Sequence, residues 1–167
     1  MPLIKDGRSV PDPWIALGDG DAVPASGPVI VSLARFHADS GALRDRADPL
    51  GVRMTSAEHA HEIGEHATSL AVIALEFPAF KDGRAYSTAR LLRERYGFAG
   101  ELRAVGNVLR DQFLFMQRCG FDAFEVADER AVAAWTEATQ AFSVFYQPAS
   151  DARLSASRLR SQERGGR

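Results

Sequence analysis

Short apolar runs rich in β-branched residues recur along this chain, and a helical segment separates each from the next. Val29–Leu33, Leu50–Met54, Leu70–Phe77, Glu101–Val105 and Phe121–Val126 read as strands with centres about 20 to 30 residues apart. A weak helix over Asp39–Ala47 follows the first. The later helices run from Ser56 to about Ala67, over Ser87–Tyr96 and over Val108–Arg118. A last helix, from Asp128 to about Phe142, puts Ala131, Val132, Trp135, Ala138 and Phe142 on one stripe. Such alternation means parallel strands joined by right-handed crossovers. A closed eight-fold barrel takes ~250 residues, and this chain has 167. The expected fold is therefore α/β, an open, mostly parallel sheet of about five strands with helices on both faces. A half-barrel-like α/β sheet is the alternative.

The remaining segments fit around that frame. Residues 1–13, with prolines at 2, 11 and 13, read as a lead-in, Trp14–Leu17 as a short edge strand and Gly18–Pro28 as a loop. Ser87 and Asn107 are placed to cap the helices they open, and Gly97 and Gly120 to end them in a left-handed conformation. Residues 1–149 read as one domain, and 150–167, with five arginines and little apolar content, as a disordered basic tail.

Charge and composition narrow the function classes. A net charge of −2 gives no electrostatic footprint for nucleic acid. No apolar run approaches the ~20 residues that span a bilayer, and Met1–Val10 lacks the apolar stretch of a signal peptide. The single cysteine, Cys119, cannot form an internal disulfide. These features predict a cytoplasmic protein.

The loop Phe80–Ser87 leaves the carboxyl end of a buried strand, where open α/β sheets bind ligands. It brings Lys81, Arg84, Tyr86 and Ser87 beside a helix N-terminus, whose free N–H groups favour anions. Asn107 and Arg110 occupy the matching loop of the next unit. They would face Arg84 across one crevice if the two strands are neighbours. The plainer reading is a pair of capped turns with solvated arginines.

Three other clusters invite a function. Glu58, His59, His61, Glu62, Glu65 and His66 crowd one short helix, but the only other histidine is His37 and no partner motif completes a di-metal site. A solvated charged face is expected there, and no metal. Cys119 sits at a helix C-terminus, where the dipole opposes thiolate formation. Phe113-Leu114-Phe115-Met116 is apolar around the whole helix, so Phe113, Phe115 and Met116 are candidates for an interface. Phe142, Phe145 and Tyr146 could extend it, and another protein or a second copy of the chain would cover it. No Gly-x-Gly-x-x-Gly, P-loop, Gly-x-Ser-x-Gly or cysteine cluster is present, so any cofactor stays unidentified.

One stretch resembles a known family: Leu75-Glu76-Phe77-Pro78, Asp82-Gly83-Arg84-Ala85-Tyr86-Ser87, Gly100-Glu101-Leu102-Arg103-Ala104-Val105-Gly106, Leu109-Arg110-Asp111-Gln112 and Arg118–Glu125. On these residues the chain resembles, over about residues 28 to 146, the bacterial family known as domain of unknown function 934. It departs from the family pattern at Ala85, where glycine is usual, and at Asn107, where aspartate is common. The resemblance implies an oxidoreductase association. Family members are described as taking part in sulfite reduction and are encoded beside the assimilatory sulfite reductase haemoprotein.

Three functions are then open, and whether the chain is an enzyme is open with them. It could be an accessory protein acting with the sulfite reductase haemoprotein. It could be a small oxyanion-binding enzyme or ligand-binding protein of sulfur metabolism. There Arg84 and Arg110 would hold anionic oxygens, with Tyr86 as proton donor. It could be a redox protein with a non-standard flavin or nicotinamide site.

Overall fold

A computed structural model of the protein describes residues 1–128, 130–151 and 153–165. Its sheet has eight strands: β1 (Leu3–Lys5), β2 (Arg8–Val10), β3 (Ile15–Ala16), β4 (Val29–Ser32), β5 (Leu50–Met54), β6 (Val72–Phe77), β7 (Glu101–Gly106) and β8 (Ala123–Glu125). The spatial order is β2-β1-β8-β7-β6-β5-β4-β3. Strands β3 to β8 run parallel in sequence order, while β1 pairs antiparallel with both β8 and β2.

That order decides between the two expected architectures. A doubly wound sheet needs a point where the strand order reverses, and none occurs between β3 and β8. Right-handed crossovers that always step the same way leave the helices on one face. The half-barrel alternative is therefore the one observed, with eight strands where about five were expected. Chain length demonstrates the curl. β2 and β3 form opposite edges of the sheet, yet only Pro11–Trp14 separates Val10 from Ile15. Seven strand spacings measure ~34 Å along the sheet, and five extended residue steps reach ~18 Å. The sheet must bend until its edges approach. Arg103, only 3% exposed, fixes the strap by a two-pronged bond to the Asp12 carboxylate at 2.7 and 3.1 Å and also holds Glu101 at 2.8 Å.

The extra strands come from the expected lead-in. Asp6 and Gly7 both take positive φ, 50° and 74°, between the two strands of a hairpin. A two-residue Asp-Gly turn is a strong hairpin signal. A side chain at position 7 would also meet the Trp135 ring.

The helices are α1 (Leu33–Ala38), α2 (Ser40–Arg44), α3 (Ala60–Ile63), α4 (Arg84–Glu94), α5 (Phe113–Arg118), α6 (Arg130–Gln140) and α7 (Ala156–Gly165). The convex sheet residues Val31, Val52, Ile73, Leu75, Phe77, Leu102 and Ala104 share one core with Leu33, Phe36, Ile63, Ala89, Leu92 and Phe113 from these helices. Several starts differ from expectation. Leu33 opens α1 instead of ending β4, because the Ser32 hydroxyl accepts from the Arg35 N–H at 3.0 Å. α3 begins at Ala60, four positions after Ser56, and passes into a 3-10 turn over Gly64–Ser69. α4 begins at Arg84, whose N–H is taken by Asp82 at 3.2 Å, so Ser87 lies inside the helix and does not cap it. The segment after β7 opens as a 3-10 turn at Arg110. There the Gln112 side chain, and not Asn107, accepts the Leu109 N–H at 3.0 Å. Gly97 and Gly120 do take the left-handed conformation, with φ of 64° and 101°.

The segment read as a basic tail from position 150 makes these contacts with the rest of the chain. The Arg118 guanidinium donates to the Gln147 carbonyl at 2.6 Å and pairs with Asp151 at 3.3 Å, while Ser150 N–H donates back to the Arg118 carbonyl. Phe145 bridges to Ser155, and α7 follows. Ala152, Gly166 and Arg167 of that segment lie outside the described residues.

Candidate functional site

Helix α4 is a wall between two clefts. Residues 84, 87, 88, 91 and 95 follow helical spacing and line one side, and residues 86, 90 and 93 point to the other.

The first cleft, about 500 Å³, lies between α3 and α4. Arg84, Ser87, Thr88 and Leu91 form one wall, and Ser56, His59 and His61 the other. Arg95 and Tyr96 complete its lower end. The His59 and His61 rings stack at 5.6 Å, and the Arg95 guanidinium lies over the Tyr96 ring at 5.7 Å. The helices approach this closely because residue 64 is glycine: a Cβ there would run into the Tyr96 ring. Arg84 grips the Asp82 carboxylate through Nε at 3.0 Å and Nη2 at 2.7 Å and reaches the Ser56 hydroxyl at 3.0 Å. That bond holds the Asp82 carboxyl far below the usual carboxylate range and pushes the Arg84 guanidinium up.

The second side is apolar. A cleft of about 470 Å³ is lined by Leu114, Phe115, Phe142, Val144, Phe145 and Tyr146, with Arg90, Arg118 and Cys119 at its margin. A neighbouring hollow of about 410 Å³ adds Phe80, Tyr86, Asp111 and Gln112, and shares Phe115 and Cys119 with the first. Phe115 is 65% exposed, Phe142 61% and Tyr146 85%. Arg118 stacks on Phe145 at 4.0 Å and so anchors the segment that carries this surface. Burial pushes both the Tyr86 hydroxyl and the Cys119 thiol up from their ordinary values.

These positions split the residues singled out in the sequence. Arg84 and Ser87 share the cationic cleft. Tyr86 turns to the apolar side, where its ring meets Phe77 edge-on at 5.1 Å. β6 and β7 are neighbours, which was the condition for Arg84 and Arg110 to share a crevice. The two arginines nonetheless diverge, each toward a carboxylate: Arg84 to Asp82, and Arg110 to Glu137 on α6 at 2.7 Å. Asn107 is exposed and donates its N–H to the Phe77 carbonyl at 2.7 Å. Of the three interface candidates, Phe113 and Met116 are core residues and Phe115 alone faces outward. Three-residue spacing puts 113 and 116 on the sheet side of α5. His59, His61, Arg95 and Tyr96 were not singled out as site residues. The two histidines are exposed, as the solvated-face reading expects, and also border the cleft. The signal that would have found Arg95 is its place on the stripe with Arg84, Thr88 and Leu91.

Among the described residues no group of three His, Cys, Asp or Glu could hold a metal ion, and no helix is long and apolar enough to cross a membrane. The pattern of a family described as a bacterial protein of unknown function, DUF934, matches residues 51–156. The chain belongs to the DUF934 family. The matched span contains every residue that lines the two clefts and runs from the second residue of β5 through α4 and α5 to the first residue of α7. No curated protein and no solved structure matches the chain.

Proposed function

We propose that this DUF934 protein is an accessory protein of assimilatory sulfite reduction, acting with the sulfite reductase haemoprotein in the cytoplasm by docking on it through the apolar side of α4 and α5. The observation that carries the reading is the exposed aromatic surface of Phe115, Phe142 and Tyr146 around a cleft of about 470 Å³. Solvent-exposed aromatic residues gathered around a pocket are what interfaces use as anchors. The resemblance of the loops to proteins encoded beside the reductase supports the choice of partner. The pairing of Arg84 with Asp82 and of Arg110 with Glu137 argues against these two arginines as a joint substrate clamp.

The test mixes tagged protein with purified haemoprotein, and measures binding for the wild type and for Phe115→Asp and Tyr146→Asp. The expected result is a specific complex that each variant weakens by about tenfold or more, as loss of an aromatic anchor does. Absence of a complex, or variants that bind as the wild type does, would overturn the docking role.

A further inference from the structure

We propose that the α3–α4 cleft is a binding site for a small organic phosphate-type anion, independent of the docking role on the other side of α4. Two permanent cations, Arg84 and Arg95, stand at opposite ends of a cavity of about 500 Å³. Between them lie the Ser87 hydroxyl and the His59 and His61 rings, while the Ser56 hydroxyl is held by Asp82 and Arg84 and that of Thr88 donates to the Arg84 carbonyl at 3.5 Å. Guanidinium forks and neutral donors of this kind match the oxygens of a tetrahedral anion.

The nearby acids are turned elsewhere. Glu58 accepts from the Thr55 N–H at 2.6 Å and from the Thr55 hydroxyl at 3.1 Å, and Glu62 accepts from the His59 N–H at 2.6 Å. Glu94 pairs with Arg90 and Ser150 on the opposite side of α4. Asp82 reaches the cleft through Arg84 and Ser56 and neutralises one guanidinium. The other, Arg95, forms no ion pair among the described residues and lies over the Tyr96 ring at 5.7 Å. Its uncompensated charge draws the anion, while Arg84 contributes Nη1, which is not engaged by Asp82.

The cavity is larger than an inorganic anion needs. The Tyr96 ring and the 44% exposed Leu91 side chain give its lower end an apolar wall. A ligand of that shape carries the charged group on an aromatic or other flat organic part. Pockets of this volume hold such molecules with a few placed polar groups.

The test is calorimetry and amide-shift mapping with three probes: inorganic phosphate, adenosine 5′-monophosphate as an aromatic phosphomonoester, and adenosine as its uncharged control. The expected result is saturable binding of the monophosphate below about 1 mM, at least about tenfold weaker binding of inorganic phosphate, and none of adenosine. Arg95→Ala, with a circular dichroism spectrum matching the wild type, should weaken monophosphate binding about tenfold or more, and Arg95→Lys should restore part of it. No saturable binding of either anion up to about 10 mM overturns the site. Unchanged affinity in both Arg95→Ala and His61→Ala does so too. Equal affinity for phosphate and the monophosphate overturns the organic part of the ligand. Phe115→Asp should leave all these affinities unchanged, so the site can stand or fall apart from the docking surface.

Discussion

The two sides of α4 share eleven helical residues and differ in nearly everything else. On the α3 side the helix shows arginine and hydroxyl groups to a cavity whose far wall is histidine. On the α5 side it shows a half-buried phenol to phenylalanines. The cause lies in the neighbours. α3 is a single turn that buries Ala60 and Ile63, leaves His61 and Glu62 exposed and continues into a 3-10 turn, so a cleft edged by His61 remains between it and α4. α5 opens with four apolar residues, Phe113–Met116, so its inner face fills the core and Phe115 on its outer face is left over. A helix with apolar residues on every side cannot bury them all against one sheet. The lesson is that a cleft edged by cations arises between the exposed sides of two helices that pack through their apolar residues, and an apolar surface where there is too much to pack.

The largest effect should separate two phenylalanines two residues apart. Phe113 is 1% exposed and meets Phe124 edge-on at 5.4 Å, while Phe115 is 65% exposed. Phe113→Ala should cost about 3–5 kcal/mol by cavity formation and lower the melting temperature by roughly 10 °C. Phe115→Ala should change stability by less than about 0.5 kcal/mol and act only on partner binding. Thermal and urea unfolding of both variants decide the matter. Equal losses would mean that the outer face of α5 is packed after all.

Gly64→Ala comes next and acts on the cationic side alone. The backbone of Gly64 is helical, with φ −52° and ψ −44°, so alanine itself suits the position. The cost comes from Tyr96, whose ring occupies the space of the new methyl group. A loss of about 1–3 kcal/mol is expected, with amide shifts around Arg95 and Tyr96 but not around Phe115. Gly41→Ala is the control. It is also helical, with open space where its Cβ would go, and should be neutral or stabilising by about 0.4–1 kcal/mol. If both glycines respond alike, the close approach of Gly64 to Tyr96 is not what shapes the cleft.

Much of this was legible in the residues, and the gaps have physical causes. Parallel strands and their helices follow from β-branched runs and 3.6-residue stripes, which are local. The Asp6-Gly7 hairpin was equally local, but its flanking strands have three residues each and carry too little apolar pattern to be seen. Strand order is not local: what selects the curled sheet is a strap of four residues and an Arg103–Asp12 pair 91 positions apart. The site divided the same way. Arg84 and Ser87 were singled out because they follow a strand end, and both line the α3–α4 cleft. Their separation from Arg110 depends on Glu137, 27 residues further on, and no spacing rule announces that bond. Phe113 and Met116 were expected at an interface and lie in the core, and their three-residue spacing was the signal that would have set them apart from Phe115.

The smallest effects are titrations, and they should move in opposite directions on the two sides. The Arg84 bond holds the Asp82 carboxyl well below its ordinary value. A carboxyl depressed in the folded state stabilises it above the unfolded value, near pH ~4, and that contribution is lost as the pH falls through the folded value. Because the pair is exposed, the loss in stability is slight, and an NMR titration of the Asp82 carboxyl reads it better. Arg84→Ala should return that titration to the ordinary range. A wild-type midpoint already near pH ~4 would mean that Arg84 is free to meet ligands directly. On the apolar side burial raises the Cys119 thiol instead, so near pH ~8 it should be alkylated more slowly than free cysteine. Phe115→Ala thins the cover that Phe115 and Cys119 share in both hollows, and should speed the reaction without altering Asp82. Faster alkylation in the wild type than in free cysteine would reverse the sign. Arg90 and Arg118, the cations that oppose the effect of burial, would then outweigh it, and the apolar surface would be electrostatically closer to its cationic counterpart than its residues imply.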